Sequence, residues 1–333
     1  MTPRNPNASA LPNVAAPEDG RAPVFLAGPT AVGKSAVALA LAEKIGGEII
    51  SVDSMQVYRG LDIGTAKPSP AERARVPHHL IDVCDLREAF DAAKFVRLAE
   101  AAAAEIRARN KTPIFCGGTG LYFQAWLAGL GDAPPADEQL RAELAAAPLE
   151  ILLAELRERD PVTFEEIDRQ NPRRVVRALE VIRLTGQPFS KQRADWKAES
   201  GKRKAEKLIC FTRSAEDLHR RINLRVDEMF ARGLVDETRE LLKRGLTENQ
   251  TALQAIGYRQ VVEHLRGGRG LAETIALVKI RTRQFAKRQL TWFRRHGNCR
   301  WFELKPDEPA AASLARIFPV TAGTWPGSDK PAG

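Results

Sequence analysis

The sequence has few cysteines and no long apolar run, and these two absences exclude several classes of protein. Its four cysteines, Cys84, Cys116, Cys210 and Cys299, lie far apart in 333 residues and form no Cys-x-x-Cys pair, so neither a zinc site nor a disulfide framework is predicted. No apolar segment approaches the roughly 20 residues of a membrane-spanning helix. The N-terminus also lacks the charged start and apolar core of a signal peptide. We therefore expect a soluble cytoplasmic protein.

Basic residues exceed acidic ones, with 51 Lys and Arg against 42 Asp and Glu and a formal net charge of +9. Such an excess suits a polyanionic partner, because neutralising phosphates releases their condensed counterions. Charge alone is weak evidence, since many proteins without such a partner are basic.

The most specific motif lies near the N-terminus. Residues 28–35 read Gly-Pro-Thr-Ala-Val-Gly-Lys-Ser and match the phosphate-binding loop pattern in full, between an apolar strand at Val24–Ala27 and a helical stretch at Ala36–Lys44. Backbone N–H groups of such a loop surround phosphate oxygens, and the helix N-terminus adds partial positive charge. A di- or triphosphate is therefore expected to contact Gly28, Pro29, Thr30, Ala31, Val32, Gly33, Lys34 and Ser35. Lys34 would neutralise a terminal phosphate, and the Ser35 hydroxyl would bind Mg²⁺.

Strand and helix patterns alternate after this motif. Predicted strands are Val24–Gly28, Glu48–Val52, Leu80–Val83 and Pro113–Gly117, with helical patterns such as Ala92–Arg109 between them. This alternation predicts an α/β fold in which helices cover both faces of a parallel sheet, like that of the P-loop NTPases. The phosphate loop would then lie at the carboxyl edge of the strands.

Composition divides the chain into four segments. Residues 1–21 are rich in Pro, Asn and Ala and are expected to be disordered. Residues 133–207 are helical and charged, without convincing strands, and predict a helical insertion. A further strand at Lys207–Thr212 would return to the core, which comprises residues 22–132 and 208–305. Helices are predicted at Ala215–Arg232, Val235–Arg244, Tyr258–Leu265 and Leu271–Arg295, and a flexible tail at 306–333.

An ordered series of segments resembles one family. The segments are residues 53–68, which begin Asp-Ser-Met-Gln-Val-Tyr, then 77–82, 117–122, 177–181, 218–222, 257–259 and 286–292. The series is similar to that of the tRNA dimethylallyltransferases, also called tRNA isopentenyltransferases, over roughly residues 22–304. Some eukaryotic members carry a C-terminal zinc finger, which this sequence lacks, so it resembles the bacterial type. The resemblance implies transfer of a dimethylallyl group from dimethylallyl diphosphate to N6 of adenosine 37, next to the tRNA anticodon, with release of diphosphate.

The chemistry of that reaction explains which side chains are needed. An exocyclic adenine amine is a poor nucleophile, so the donor must be a good electrophile such as an allylic diphosphate. The phosphate loop would stabilise the departing diphosphate. The resemblance assigns Asp53 as the general base that accepts the amine proton. An aspartate at a strand end is also typical of a Mg²⁺ ligand or a turn residue, and both alternatives stay open.

Two further residues are expected to be catalytic by resemblance. Arg221 matches an arginine that the family places on the diphosphate, and Arg225 shares its helix face. The sequence does not decide which of Arg220, Arg221 and Arg225 holds the diphosphate. A solvated basic helix face without a binding role stays open as the alternative. Thr119 matches a threonine that contacts the tRNA, although a turn threonine bonded to its own backbone is the alternative.

The target base must leave its stack to react, which is least costly in a loop. By resemblance or by charge, the predicted tRNA-binding residues are Asp53, Ser54, Met55, Gln56, Thr119, Arg141, Gln170, Asn171, Pro172, Arg173, Arg174, Gly257, Tyr258 and Arg259. A basic run would hold phosphates, namely Arg281, Arg283, Lys287, Arg288, Arg294 and Arg295. Aromatic residues among these charges, Tyr258, Trp292 and Phe293, more often pack a core.

Two adjacent histidines and one glycine complete the candidates. His78 and His79 suggest structural or base-pocket roles, because adjacent histidines point to different faces and no third ligand is nearby. Many family members have Met where Gly120 stands, which we expect to alter loop stiffness without removing a chemical group.

Two other functions compete with the transferase. A small-molecule or nucleotide kinase would use ATP at the same loop, with the insertion as a lid. A nucleic-acid-stimulated ATPase would normally need a second acidic strand end for water activation, and no clear one is present. Nothing in the sequence indicates an oligomer, so a monomer is expected.

Overall fold

A computed structural model describes residues 22–131, 133–192, 208–296 and 299–318. The predicted disorder of residues 1–21 lies outside the described residues. The chain divides into two compact units, one of residues 1–125 with 205–333 and one of residues 126–204. The second unit overlaps the predicted insertion at 133–207.

The first unit contains a sheet of six strands that pair in parallel. In chain order these are β1 (Val24–Ala27), β2 (Glu48–Val52), β3 (His78–His79), β4 (Pro113–Gly117), β5 (Leu208–Thr212) and β6 (Cys299–Glu303), and their order across the sheet is β3-β2-β4-β1-β5-β6. Strands β2 and β4 are buried along their whole length, as expected for a parallel sheet that is covered on both faces. The predicted α/β fold is confirmed.

The register brings three strand ends to one edge. Gly117, the last residue of β4, lies opposite Ala27 of β1 on one side and Val52 of β2 on the other. The segments that follow these three strands therefore meet at the carboxyl edge of the sheet.

Fourteen helices are labelled here within the described residues. They are α1 (Lys34–Ile45), α2 (Pro70–Arg75), α3 (Ala92–Ala108), α4 (Gly120–Ala128), α5 (Glu138–Ala146), α6 (Leu149–Arg159), α7 (Pro161–Glu166), α8 (Pro172–Thr185), α9 (Phe189–Gln192), α10 (Ala215–Ala231), α11 (Leu234–Lys243), α12 (Tyr258–Leu265), α13 (Leu271–His296) and α14 (Ala310–Ile317). Helices α5 to α9 belong to the second unit, whose own core includes Leu152, Leu156, Val175 and Leu179. Among the described residues, none of the helices combines the length and apolarity that crossing a bilayer requires.

The third strand differs from its predicted position. It forms at His78–His79, and the predicted strand at Leu80–Val83 is wrong. Leu80 and Asp82 adopt φ angles of 61° and 57°, which are incompatible with a strand. The apolar run at this point therefore marks a buried turn.

The C-terminal region is more ordered than the composition indicates. The flexible tail predicted from residue 306 is incorrect for α14, where Leu314 and Ile317 are buried in the same core as Val37 and Leu41 of α1. The apolar face of so short a helix can be recognised only when its partner is known.

A disulfide also departs from expectation. Cys210 on β5 and Cys299 on β6, which are 89 residues apart in sequence, lie with their Cα atoms 5.7 Å apart and are joined as a disulfide. Cys84 and Cys116 are free and buried. The pairing depends on β5 and β6 being neighbours, which sequence spacing does not reveal.

Candidate functional site

The phosphate-binding loop connects β1 to α1 with an unusual backbone. Gly33, directly before α1, has a φ angle of 105°, which only glycine adopts readily. Lys34 Nζ donates a hydrogen bond to the carbonyl oxygen of Pro29 at 3.2 Å, so the lysine lies across its own loop. Burial lowers the pKa of Lys34, and the nearby Arg225 lowers it further, while the carboxylate of Asp53 acts in the opposite direction. The ammonium group is thus held in a poorly solvated position where an anion would stabilise its charge.

Three arginines hold the loop from the other half of the chain. Arg213 Nε donates to Val32 O at 2.7 Å, and Arg221 Nε donates to Ala31 O at 2.9 Å. Arg225 Nη1 donates to the hydroxyl of Thr30 at 3.4 Å. All three arginines follow β5, the strand that pairs with β1.

The sequence left open which of Arg220, Arg221 and Arg225 would hold the diphosphate, and the geometry narrows this choice. Arg220 forms an ion pair with Asp217 at 2.8 Å instead of facing the loop. Burial lowers the pKa of both Arg221 and Arg225, and neighbouring guanidinium groups lower it further. An incoming anion would relieve that repulsion, so Arg221 and Arg225 are the arginines suited to a diphosphate.

Asp53 follows β2 at the same edge of the sheet. Its Oδ1 atom accepts hydrogen bonds from the backbone N–H groups of Met55 at 2.8 Å and Gln56 at 3.2 Å. Among the described residues, its Oδ2 atom has no hydrogen-bond partner. One carboxylate oxygen therefore fixes the orientation of the side chain, and the other is available to accept a proton.

Thr119 lies beside Asp53 because β2 and β4 are neighbours. Its Oγ1 atom accepts a hydrogen bond from the Ser54 N–H at 3.2 Å, and its own N–H donates to Val52 O at 3.2 Å. The Thr119 hydroxyl proton remains available for a ligand. Two predicted catalytic residues, Asp53 and Thr119, are thus brought together at the edge where the phosphate loop also lies.

Two predicted tRNA-binding residues are instead internal supports. The Gln56 amide donates to Thr65 O at 3.1 Å and accepts from the Ser51 hydroxyl at 2.8 Å. Tyr258 is fully buried, and its hydroxyl accepts from the Gly64 N–H and donates to Glu237. The expected tRNA contact of the Tyr258 side chain is therefore corrected, while the expectation that this aromatic residue packs a core holds.

In the second unit, Arg141 has an internal partner while its side chain stays 42% exposed, so its contact with tRNA stays a prediction. Arg141 Nε forms an ion pair with Glu180 at 2.8 Å, and Arg177 contacts the other carboxylate oxygen at 2.6 Å. Glu180 is fully buried, so Arg141 compensates a charge inside its own unit. The segment Gln170–Arg174 lies at the start of α8, where Gln170, Arg173 and Arg174 are exposed, and its role in tRNA binding stays a prediction.

The histidines have structural partners. His79 Nε2 forms a 2.7 Å hydrogen bond with Glu48, and His78 Nδ1 pairs with Val76 O at 2.7 Å. Within the part of the chain that the structure describes, no three His, Cys, Asp or Glu side chains cluster as metal ligands. The Ser35 hydroxyl is exposed at the phosphate loop, and a hydroxyl together with phosphate oxygens would suit a Mg²⁺ ion.

Sequence reasoning missed two residues of this site. Arg213 is only 6% exposed and braces the loop, and no local signal distinguishes it from other arginines. Gln289, on α13, accepts a hydrogen bond from the Thr30 N–H at 2.9 Å and donates to Gly118 O at 2.9 Å. The sequence feature that could have indicated Gln289 is its position inside the segment 286–292, which carries part of the family resemblance.

Comparison with known proteins assigns the family. The family model described as IPP transferase matches residues 56–296. The chain belongs to this family. A relative named tRNA dimethylallyltransferase, from Geobacillus kaustophilus, is 45% identical over 305 residues, which cover 90% of this chain and 95% of the relative. One of the same name from Halorhodospira halophila is 49% identical over 279 residues, covering 82% of this chain and 90% of the relative.

Solved structures of the family resemble this one. The full-length tRNA isopentenylpyrophosphate transferase of Bacillus halodurans is 41% identical with a TM-score of 0.64, covering 88% of this chain and 93% of its own. A eukaryotic dimethylallyltransferase, described as acting on tRNA, is 27% identical with a TM-score of 0.72, covering 89% of this chain and 78% of its own.

Proposed function

We propose that this protein transfers the dimethylallyl group of dimethylallyl diphosphate to N6 of adenosine 37 in tRNA, giving N6-(dimethylallyl)adenosine and diphosphate. Its relatives in the IPP transferase family carry the name tRNA dimethylallyltransferase. The observation that carries the proposal is that the Asp53 carboxylate, with one unpartnered oxygen, lies at the same sheet edge as an arginine-braced phosphate loop.

The loop and its cations would stabilise the leaving group. As the bond between C1 and the bridging oxygen breaks, negative charge accumulates on the diphosphate while the allyl group becomes positive. Lys34, Arg221 and Arg225 are already held at the loop, so they need little reorganisation when that charge develops. Preorganised charge of this kind is usually the largest catalytic contribution.

Asp53 would accept the proton that the N6 amine loses as its new bond to carbon forms. The Oδ1 atom is fixed by two backbone N–H groups, so Oδ2 is presented in one orientation. Thr119, whose hydroxyl oxygen is held by the Ser54 N–H, would donate its proton to the base or a phosphate. A Mg²⁺ ion held by Ser35 and the phosphates would supply further charge neutralisation.

We propose that the tRNA contacts use members of the predicted set that are not buried, namely Ser54, Met55, Thr119, Arg141, Gln170–Arg174 and Arg259. A cavity of 390 Å³ between α12 and α13 supports this choice, because it is lined by Arg259, Arg269, Arg281 and Arg288 with Glu263 as its acidic lining residue. A surface of that charge suits the phosphates of an RNA backbone.

A kinase activity is not favoured, because the relatives carry the transferase name over nearly the whole chain. We also propose that the protein acts as a monomer in the cytoplasm, where its tRNA substrate is available.

The direct test incubates the purified protein with Mg²⁺, unmodified tRNA and labelled dimethylallyl diphosphate, without ATP. Label in the tRNA and an equal amount of released diphosphate are expected. A substrate tRNA with adenosine 37 replaced by guanosine should take up no label. Phosphorylation of a small acceptor with ATP, without transfer of label, would instead support the kinase.

A further inference from the structure

Gln289 contacts both loops of the proposed reaction. Its Oε1 atom accepts from the Thr30 N–H in the diphosphate-binding loop, and its Nε2 atom donates to Gly118 O in the loop before Thr119, both at 2.9 Å. Thr30 and Gly118 lie 259 and 171 residues before Gln289 in sequence, so neither contact is a local consequence of helix formation. From this bridge we infer that Gln289 is a positioning residue that aligns the donor with the target base. This inference rests on the proposed function.

The bridge continues into both halves of the site. On the donor side, the Thr30 hydroxyl accepts a hydrogen bond from Arg225. On the acceptor side, the residue after Gly118 is Thr119, whose hydroxyl oxygen holds the N–H of Ser54, next to Asp53. A short path of hydrogen bonds and covalent backbone links therefore runs from Arg225, which would hold the diphosphate, to the backbone of Asp53, whose carboxylate would take the proton.

The fit around Gln289 leaves little freedom. Its side chain is only 8% exposed, and both ends of its amide are used. A Cβ atom built on Gly118 would lie 2.3 Å from Gln289 Nε2, and one built on Gly120 would lie 2.1 Å from the Trp292 ring. Helix α13 thus packs directly on the backbone of residues 118–120. The Gln289 amide contacts both loops, so its position depends on both.

The chemical character of glutamine matters here. A leucine or methionine could fill the space but would leave the Thr30 N–H and the Gly118 carbonyl without partners. A glutamate would accept from Thr30 but, as a carboxylate, could not donate to Gly118. Because displacement of reacting groups by about 1 Å can reduce a rate about 100-fold, loss of the bridge should affect the rate more than the binding of either substrate.

The first test is Gln289→Met, which keeps length and helix propensity and removes both hydrogen bonds. We expect kcat for prenyl transfer to fall about 10- to 100-fold, while the Kd of tRNA and the Kd of the unreactive donor dimethylallyl S-thiolodiphosphate change less than about threefold. Gln284→Met is the matched control, since Gln284 is exposed on the same helix. Its kcat should stay within about twofold of wild type.

A second variant approaches the bridge from the opposite side. Gly118→Ala should displace the Gln289 amide through its added Cβ and lower kcat as well. Because Gln289→Ala removes the displaced group, the double variant should be no slower than the slower single variant. Losses that multiply in the double variant would overturn the inference, and this comparison remains available if Gln289→Met does not fold.

Hydrogen exchange separates this inference from the proposed function. The Thr30 amide should exchange faster in folded Gln289→Met than in wild type, whatever reaction the enzyme performs. A wild-type protein that transfers no prenyl group would contradict the proposed function, even if the bridge proves real. An active wild type with an equally active Gln289→Met, or a loss that only follows a lower Tm, would overturn the positioning role alone.

Discussion

At the scale of single residues, the hydrogen bonds that orient a side chain use different atoms or bonding positions from those needed in the reaction. One oxygen of the Asp53 carboxylate accepts hydrogen bonds from the backbone N–H groups of Met55 and Gln56, and the other remains available to accept a proton. The partly buried Lys34 and Arg221 behave similarly, because each donates a hydrogen bond to a loop carbonyl while remaining next to the expected anion. Such contacts reduce the reorganisation that the reaction requires.

The role of Asp53 is tested by Asp53→Asn, which keeps an oxygen that can accept from the two N–H groups but removes the base. We expect transfer to fall by a factor of about 100 to 10,000, with donor affinity largely unchanged. Single-turnover transfer and donor titration measure the two effects. Asp53→Ala, which also loses the turn contact, should be no more active, and near-normal turnover of either variant would remove Asp53 as the base.

Gly120 gives a stability prediction. Gly120→Ala would bring a methyl group against the Trp292 ring, so we expect the free energy of unfolding to fall by about 1–3 kcal/mol. Denaturant unfolding measures it. Gly270→Ala is the control, because no atom lies within 4 Å of its added Cβ, and it should change stability by less than about 0.5 kcal/mol. Equal stability of the two variants would contradict the close packing.

The candidate site residues whose position in the fold could be predicted from the sequence belong to local motifs. The phosphate loop and Asp53 could be placed because each follows a recognisable strand. Arg213 and Gln289 could not be placed, because their partners are 181 and 259 residues away and any exposed arginine or glutamine has the same local pattern. Tyr258 was assigned to tRNA contact because it lies in a motif of the resembled family, and a motif alone does not distinguish a buried support from a surface contact.

At the scale of secondary structure, one buried carboxylate joins three elements. Glu48, at the start of β2, is 2% exposed and contacts Arg109 after α3, His79 of β3 and Lys111 before β4. Burial acts to raise the pKa of Glu48, but the hydrogen bonds from Arg109, His79 and Lys111 lower it from its ordinary 4.5 to about 2. The cluster fixes the edge of the sheet opposite β6.

This cluster predicts a pH dependence of stability. A carboxyl group whose folded pKa is depressed stabilises the protein above its unfolded pKa, near 4.5, and the contribution is lost as pH falls toward about 2. A shift of this size corresponds to about 3 kcal/mol at neutral pH. Glu48→Gln should therefore be less stable than wild type at pH 7, and the difference should shrink between pH 5 and about 2. A difference that stays constant over that range would contradict the assignment.

The elements also differ in how well they could be predicted. Strands β1, β2 and β4 were expected at their observed positions, because short, mostly apolar segments between helical patterns indicate buried strands. Strands β3 and β6 and helix α14 were not, since they are short or half-buried and are stabilised by neighbours that a single sequence does not identify.

At the scale of the whole molecule, the net charge of +9 indicates an RNA-binding surface only when the positions of the basic residues are known. Arg173 and Arg174 are exposed at the start of α8, and Arg177 and Arg213 form ion pairs inside their own units. An exposed pair near a helix N-terminus is suited to phosphates of a folded RNA.

We expect the double variant Arg173→Ala with Arg174→Ala to bind tRNA more weakly. The negative slope of log association constant against log salt concentration should become shallower by about 1 to 2, because two phosphate contacts are lost. Donor affinity should not change. Arg239→Ala with Lys243→Ala is the control, since it removes the same charge from exposed residues paired within α11. Filter binding at several salt concentrations measures both, and equal slopes would exclude this surface.

The connection between Thr30 and Gln289 also has a consequence for how the enzyme is made. The phosphate loop leaves the ribosome early, but the glutamine that orders it is translated 259 residues later. At about 5–20 residues per second, that interval is roughly 13 to 52 s. The phosphate loop therefore waits for a partner that is translated 259 residues later, and a product truncated before α13 carries an intact motif without the residue that bridges it to Gly118. A prematurely terminated chain would thus be prevented from modifying tRNA by the order of its own synthesis.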